Sequence, residues 1–407
     1  MKIFDDSQPL VSVIIPNYNH TRFITDAIKS VLAQTYSHYE IIIVDDGSTD
    51  GSRDVVARFG QAVRYIWQKN QGLAGARNTG IRAASGELIG LLDADDEWHV
   101  DYLEQMVSLT VRHPDASVFY CMAKCMDEDG RNLPQYVGGP PVDPTDLHQV
   151  LLRANFIIPS TVLFRRKSIV ESGCFDTDLR SCEDWDLWLR LLPMEKIIGT
   201  SRCLVRYRVH GSSLSTNVEG MHAATKEVIE KHFGVDDDDP SAWKPEKRRA
   251  YGGVYRYQCI TLIQRQGNWK ACVPLMRRAL QTDPSLALDL DFFYELVLGD
   301  QPVGHRGVSE LENFDEKAAH LQKLMHNAVE GLSDRSILNQ ALGTTYYALG
   351  LASYNLGPRS QFRYFLGKVL RYRPGVILNS RIVAKYFKSI LSKEKLETLK
   401  KLVGHPS

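Results

Sequence analysis

Apolar positions in the first third of the chain fall into two rhythms. Val11-Ser12-Val13-Ile14-Ile15 is a short apolar run stopped by Pro16, and Glu40-Ile41-Ile42-Ile43-Val44 is another, stopped by Asp45-Asp46-Gly47. Such runs predict strands buried on both faces. Between them, Ile24, Ala27, Ile28, Val31 and Leu32 recur at helical spacing, which predicts a strand-helix-strand unit. A second helix is expected from Leu73 to Ala84, with Ala76, Gly80 and Ala84 forming a small-residue seam. Leu88 to Leu92 reads as a strand. A helix follows, with Tyr102, Leu103, Met106, Val107 and Leu109 on its apolar side. The alternation predicts an α/β fold built on a doubly wound, mostly parallel sheet.

Beyond residue 115 the rhythm weakens. Gly138-Gly139-Pro140-Pro141 marks a loop, Thr161 to Arg165 a strand, and Leu204 to Val209 another. Trp185, Trp188, Leu189 and Leu192 form one face of a short helix. Asp236-Asp237-Asp238-Asp239-Pro240, with Pro245 close behind, signals a linker. The expected division is therefore residues 1–235, a linker at 236–247, and an all-α region at 248–407. Within the last, Ala250 to Pro284 and Ala341 to Pro374 suggest helical hairpins of tetratricopeptide character.

The chain has 407 residues, is 43% hydrophobic and carries no formal net charge, which excludes a disordered or broadly nucleic-acid-binding protein. No apolar run reaches the roughly 18–20 residues needed to span a bilayer, and the N-terminus shows no secretory pattern. Seven scattered cysteines fit reduced thiols and a cytoplasmic setting. The pair Cys121 and Cys125 lacks a second pair to complete a zinc site. Residues 361–407 hold eleven Lys and Arg against Glu394 and Glu397. That excess, beside Tyr364, Phe365, Tyr386 and Phe387, fits either a solvated helix face or a peripheral contact with the inner face of a membrane.

Candidate chemistry collects where strands end. Asp93-Ala94-Asp95-Asp96 follows the strand at 88–92, and the two-residue spacing of Asp93 and Asp95 points both carboxylates to one face. Crowded carboxylates suit a hard cation such as Mn²⁺ or Mg²⁺, unless one of them merely caps the next helix. Pro16-Asn17-Tyr18-Asn19 and Asp45-Asp46-Gly47-Ser48-Thr49-Asp50 follow the first two strands, where open α/β sheets bind ligands. Asp45 and Asp46 fit hydrogen bonds from a base or ribose; an Asp-Gly turn with capping by Ser48 or Asp50 is compatible with that role. Asn70 precedes a helix carrying Arg77, a fair diphosphate or nucleotide contact unless Arg77 pairs with a structural Asp. Glu183-Asp184-Trp185-Asp186 places acids beside apolar rings, where desolvation raises basicity; one of them also suits a helix cap. Arg206, Arg208 and His210 alternate on a predicted strand, so they share a face suited to a diphosphate and a metal. Trp98 suits either sugar stacking or the core.

Taken together, Val11 to Asn19, Val44 to Asp50, Gly75-Ala76-Arg77-Asn78-Thr79-Gly80, Asp93 to Asp96, Glu183-Asp184 and Tyr207-Arg208-Val209-His210 resemble glycosyltransferase family 2, in order, over residues 9–215. The resemblance implies a GT-A fold and inverting transfer from a nucleotide-diphosphate sugar. It implies base and ribose contacts at Pro16, Tyr18 and Asp46 and a nucleotide contact at Arg77; Asn19, Asp45, Asn70 and Arg208 are expected beside them on the donor side from their own chemistry and placement. Asp93 and Asp95 match the DXD motif, Asp95 as metal ligand and Asp93 as donor contact. Asp184 matches the catalytic base, His210 a residue holding the metal-diphosphate, and Glu183, Trp185 and Trp98 fall on the acceptor side. The Gln-x-x-Arg-Trp motif of processive synthases is absent after Asp184, which implies single addition to a glycan or lipid-linked acceptor. A metal-dependent nucleotidyltransferase and a non-catalytic carbohydrate-binding scaffold are the competing readings.

Overall fold

The computed structural model describes residues 8–374 apart from 140, 212, 214–215, 238, 300–312 and 333. The chain divides into two compact units, Met1–Val235 and Asp236–Ser407.

In the first unit the strands are β1 (Val11–Asn17), β2 (Tyr39–Asp45), β3 (Arg64–Trp67), β4 (Leu88–Leu91), β5 (Glu97–Trp98), β6 (Val118–Met126), β7 (Asn132–Val137), β8 (Val162–Arg165) and β9 (Ile197–Arg208). They form one sheet in the order β3-β2-β1-β4-β8-β6-β9-β5, with β7 added to β6. Strands β3, β2, β1 and β4 are parallel throughout. From β4 onward the pairing is mixed: β8 runs antiparallel to β4 and β6, β6 and β9 are parallel, and β5 and β7 are antiparallel additions. This is the GT-A type of α/β sheet, with the regular apolar rhythm confined to its parallel half.

The helices of this unit are α1 (Ile24–Leu32), α2 (Ser52–Ala57), α3 (Gly72–Ala83), α4 (Tyr102–Arg112), α5 (Pro144–Arg153), α6 (Arg166–Glu171), α7 (Glu183–Leu191) and α8 (Val218–Phe233). Alternate strand residues feed opposite cores. Val13, Ile15, Ile41 and Ile43 pack with Ile24, Ile28, Leu103 and Met106 on one face. Ile14, Ile42 and Val44 pack with Ala76, Ile81, Leu187 and Trp188 on the other. Burial on both faces is why β1 and β2 read as unbroken apolar runs. The small-residue seam of α3 has a steric cause, since a Cβ at Gly80 would overlap the Ile14 side chain.

The second unit is helical: α9 (Pro245–Gln266), α10 (Trp269–Thr282), α11 (Leu290–Leu298), α12 (Phe314–Val329), α13 (Ser336–Leu356) and α14 (Arg359–Tyr372). Gly267, at φ +58°, ends α9, and Asn268 caps α10 through Ala271 N, giving a tight hairpin. The acidic stretch expected as a linker is bound into this unit. Asp236 accepts from Tyr255 and Arg278, and Asp239 caps the turn at Pro240–Ala242. Among the described residues no helix is long and apolar enough to cross a membrane. Most of the basic C-terminal segment, residues 375–407, lies outside the described residues.

Candidate active site

The parallel strands deliver their carboxyl ends to one edge. Asn17 at the end of β1 lies opposite Asp45 at the end of β2, and the acidic turn 93–96 follows β4 beside them. Pro16 is buried inside β1, whereas Tyr18, just beyond the strand, is 50% exposed. Asn19 adopts φ +58°, a conformation Asn tolerates better than most residues. Its Oδ1 accepts from Thr49 N at 2.8 Å and its N donates to Ser48 Oγ at 3.0 Å, so it clips the first loop to the second.

The structure gives Asp45 and Asp46 protein partners. Asp45 accepts from Ser48 N at 2.8 Å and Tyr65 Oη at 2.6 Å. Asp46 accepts from Gln68 Nε2 at 2.6 Å and from the N–H groups of Gln71 and Gly72 at 2.9 and 2.8 Å. Asp46 thus satisfies orphan donors at the start of α3, while Asp50 serves the start of α2 through Ser52 N. Asn70 is exposed, and its Oδ1 faces Gly72 N at 3.3 Å. It passes close to Gly47, where φ is +83° and a Cβ would come within 3.1 Å of Asn70 N, so a side chain there is strained.

Arg77, expected to touch the nucleotide, is 1% exposed. It donates to Asp93 Oδ1 at 2.8 Å and to Glu183 Oε1, and it lies over the Phe175 ring. Both terminal nitrogens are therefore committed to carboxylates, and the side chain joins the acidic turn to the start of α7. The residue before α7, Cys182, sits at φ +59°, a strained conformation for a non-glycine residue that turns the chain sharply into Glu183 and Asp184.

Electrostatics at this helix start favour proton uptake. Burial pushes Glu183 up to about 7, helped by Asp184 and Asp93 and opposed by Arg77. Burial also raises Asp184, against the hydrogen bond from Asn155 Nδ2 at 2.9 Å and the charge of Arg77.

The acidic turn divides its labour. Asp93 keeps a quarter-exposed side chain, and Asp95 Oδ2 meets His210 Nε2 at 2.8 Å. Asp96 does not begin the next helix, which starts only at Tyr102. It is 1% exposed and holds Ser160 Oγ at 2.6 Å and Arg208 N at 2.9 Å, and burial, with Asp95 and Asp93 adding to it, drives its carboxyl well above the usual range. Among the described residues no cluster of three or more His, Cys, Asp or Glu is arranged to hold a metal.

Four residues expected to face a substrate are buried instead. Arg208 is 2% exposed, and its guanidinium is spent on Glu97, Asp26 and the carbonyls of Asp95 and Glu128, so it braces the acidic turn rather than facing a diphosphate. Trp98 stacks on Tyr102 at 3.9 Å and donates to Ser160 O at 2.7 Å, which leaves no open face for a sugar. Trp185 is 2% exposed and donates to Leu151 O. Glu183, also placed on the acceptor side, is 4% exposed and faces Arg77.

Sequence reading missed Asn155, Ser160, His20 and Phe23. Asn155 and Ser160 lie in an irregular stretch with no motif and reach the site through the fold alone. His20 and Phe23 pack beside His210, at ring separations of 6.1 and 5.0 Å, in a cleft of about 410 Å³ lined also by Asn19, Arg22, Glu128 and Gly211.

A parallel α/β half with acidic loops at its strand ends, a DXD turn facing an imidazole, and a Glu-Asp pair opening a helix define a glycosyltransferase of the GT-A class. The family model described as glycosyl transferase family 2 matches residues 12–173. The chain is 32% identical over 239 residues to an uncharacterised glycosyltransferase of Nostoc sp., covering 56% of this chain and 72% of that one. It is 33% identical to TuaG of Bacillus subtilis, a glycosyltransferase assigned to teichuronic acid biosynthesis, over 52% of this chain and 83% of that one. It is 31% identical to WfgD of Escherichia coli, a UDP-Glc:α-D-GlcNAc-diphosphoundecaprenol β-1,3-glucosyltransferase, over 51% of this chain and 80% of that one. The chain belongs to glycosyltransferase family 2.

Proposed function

We propose that this glycosyltransferase moves one sugar from a nucleotide-diphosphate sugar to a hydroxyl of a glycan or lipid-linked acceptor, with inversion at the anomeric carbon. The observation that carries the reading is the Arg77 bridge, which places the donor-side carboxylate Asp93 and the acid pair Glu183–Asp184 around one guanidinium. The named donor and lipid-diphosphate acceptor of WfgD support the same substrate class.

Asp184 is the catalytic base. Burial raises its affinity for a proton, and single hydrogen bonds from Asn155 Nδ2 and Trp185 N orient its two oxygens, each with a second lone pair left for the proton of an acceptor hydroxyl. Attack from the face opposite the leaving diphosphate inverts the anomeric centre in one displacement. Asp93 holds a donor hydroxyl, and the exposed ring of Tyr18 covers the base.

Asp95 and His210 offer a carboxylate oxygen and an imidazole nitrogen, a donor set that fits Mn²⁺ or Mg²⁺ when phosphate oxygens and water complete the shell. Such an ion, when bound, stabilises the charge that grows on the departing diphosphate. The exposed Arg363, Tyr364 and Arg371 on α14 support a peripheral contact with anionic lipid. Unchanged liposome co-sedimentation after removal of residues 361–407 contradicts that contact.

Product analysis tests the transfer reading. Incubation with UDP-, GDP- and dTDP-sugars and Mn²⁺ is expected to release a nucleoside diphosphate from one of them. Release of pyrophosphate instead indicates a nucleotidyltransferase, and retention of transfer without Asp184 indicates another base.

A further inference from the structure

A guanidinium that reads a nucleotide keeps its planar fork turned outward. Arg77 does the opposite: it is 1% exposed, its terminal nitrogens face Asp93 and Glu183, and its Nε–H has no hydrogen-bond partner. Burying a cation this deeply is favourable only where fixed carboxylates compensate it. Both compensating groups belong to the site.

We infer that Arg77 is a positioning residue for the proposed transfer, tying the donor-side carboxylate Asp93 to the base-side pair Glu183–Asp184 and keeping that pair ionised to receive a proton. The inference rests on the transfer reading above and replaces the direct nucleotide contact that the family resemblance implies for this position.

The surroundings of the pair leave few alternatives for its counter-ion. Glu183 and Asp184 are faced by Arg77 from α3, by Asp93 from the acidic turn, by Asn155 from the segment after α5, and by the Cys182 thiol at their own helix end. Arg77 is the cation in that set. Asp186, further along α7, engages Arg190 of the same helix and Lys231 and His232 of α8. Burial and neighbouring negative charge favour the neutral acids, with Glu183 raised to about 7, and Arg77 opposes them. Because Asp93 and Glu183 share one counter-ion, a donor hydroxyl that takes up Asp93 changes the field felt at Asp184. Donor occupancy and base strength are thereby linked through one side chain.

The experiment compares Arg77→Gln, Arg77→Lys and Glu183→Gln in the full chain, measuring pH profiles of kcat, donor KM, and calorimetric binding of the nucleoside diphosphate with Mn²⁺. Loss of the cation in Arg77→Gln is expected to move the acid limb of kcat upward by about one pH unit or more while nucleoside diphosphate binding changes little. Arg77→Lys is expected to restore the limb, and Glu183→Gln to move it downward. Weakened nucleoside diphosphate binding with an unmoved pH profile overturns the inference and returns Arg77 to the nucleotide. Should Arg77→Gln not fold, an unmoved limb in both Arg77→Lys and Glu183→Gln overturns it equally. The pH dependence of melting needs no turnover and so separates this inference from the transfer reading. The inference predicts a steeper loss of stability with rising pH in Arg77→Gln than in the parent chain, and an unchanged slope contradicts it.

Discussion

His210 Nε2 lies 2.8 Å from Asp95 Oδ2, although 115 positions separate the two residues. The contact joins the end of the sheet's last long strand to the turn after β4, and Arg208 reinforces it by gripping the Asp95 carbonyl at 2.8 Å. Replacing His210 by Ala is expected to weaken Mn²⁺ activation about 10- to 100-fold, the range found when groups around a bound ion are removed. Titration of transfer against Mn²⁺ checks this. Unaltered metal dependence removes His210 from the ion's surroundings.

Asp186 is fully buried and holds Arg190, Lys231 and His232 together, binding α7 to α8. Burial disfavours its charge, but these three partners outweigh that and hold its carboxyl below the ordinary 3.8. A carboxyl whose folded value is depressed stabilises the fold above its unfolded value and loses that contribution as the pH falls through the folded one. Asp186→Ala is expected to cost about 1–3 kcal/mol at neutral pH, because it removes the hydrogen bonds that tie three partly exposed partners to one buried carboxylate. Urea unfolding at neutral and acid pH checks both parts, with the difference between parent and variant shrinking below pH 3.8.

Glu183 carries the opposite sign. Its folded value of about 7 exceeds the ordinary 4.5, so its effect on stability is absent below 4.5 and becomes increasingly unfavourable as the pH rises toward 7. Glu183→Gln is expected to flatten that decline in melting temperature over the same interval. An undiminished slope in the variant shows that another group titrates there.

The parallel half of the fold was legible because local pattern and tertiary environment agree. The strands expected at 11–15 and 40–44 became β1 and β2, and the helix expected from Leu73 became α3, displaced by one residue. The second half resisted reading for physical reasons. β6 is buried along most of both faces and interrupted by register shifts, so it lacks a clean alternation. β7 contains Pro134 and survives only because it pairs on one side, with β6. At the site, residue types identified the carboxylates and the imidazole, because their chemistry is local. Trp185 and Arg208 were misplaced, and Trp98 was left between core and sugar, because what covers them is distant in sequence: Leu151, Glu97 and Ser160 decide that they face inward. Arg77 shows the same limit, since spacing alone offered both a nucleotide and a structural Asp as its partner.

In the proposed transfer, Asp184 removes the proton from the acceptor hydroxyl. Single-turnover transfer from a bound nucleotide-sugar, compared between the parent chain and Asp184→Asn, tests it most directly, because Asn keeps the shape and loses the base. The expected result is a fall of about 10²- to 10⁴-fold in the transfer step with donor binding unchanged. Transfer by Asp184→Asn at the parent rate shows that Asp184 is not the base.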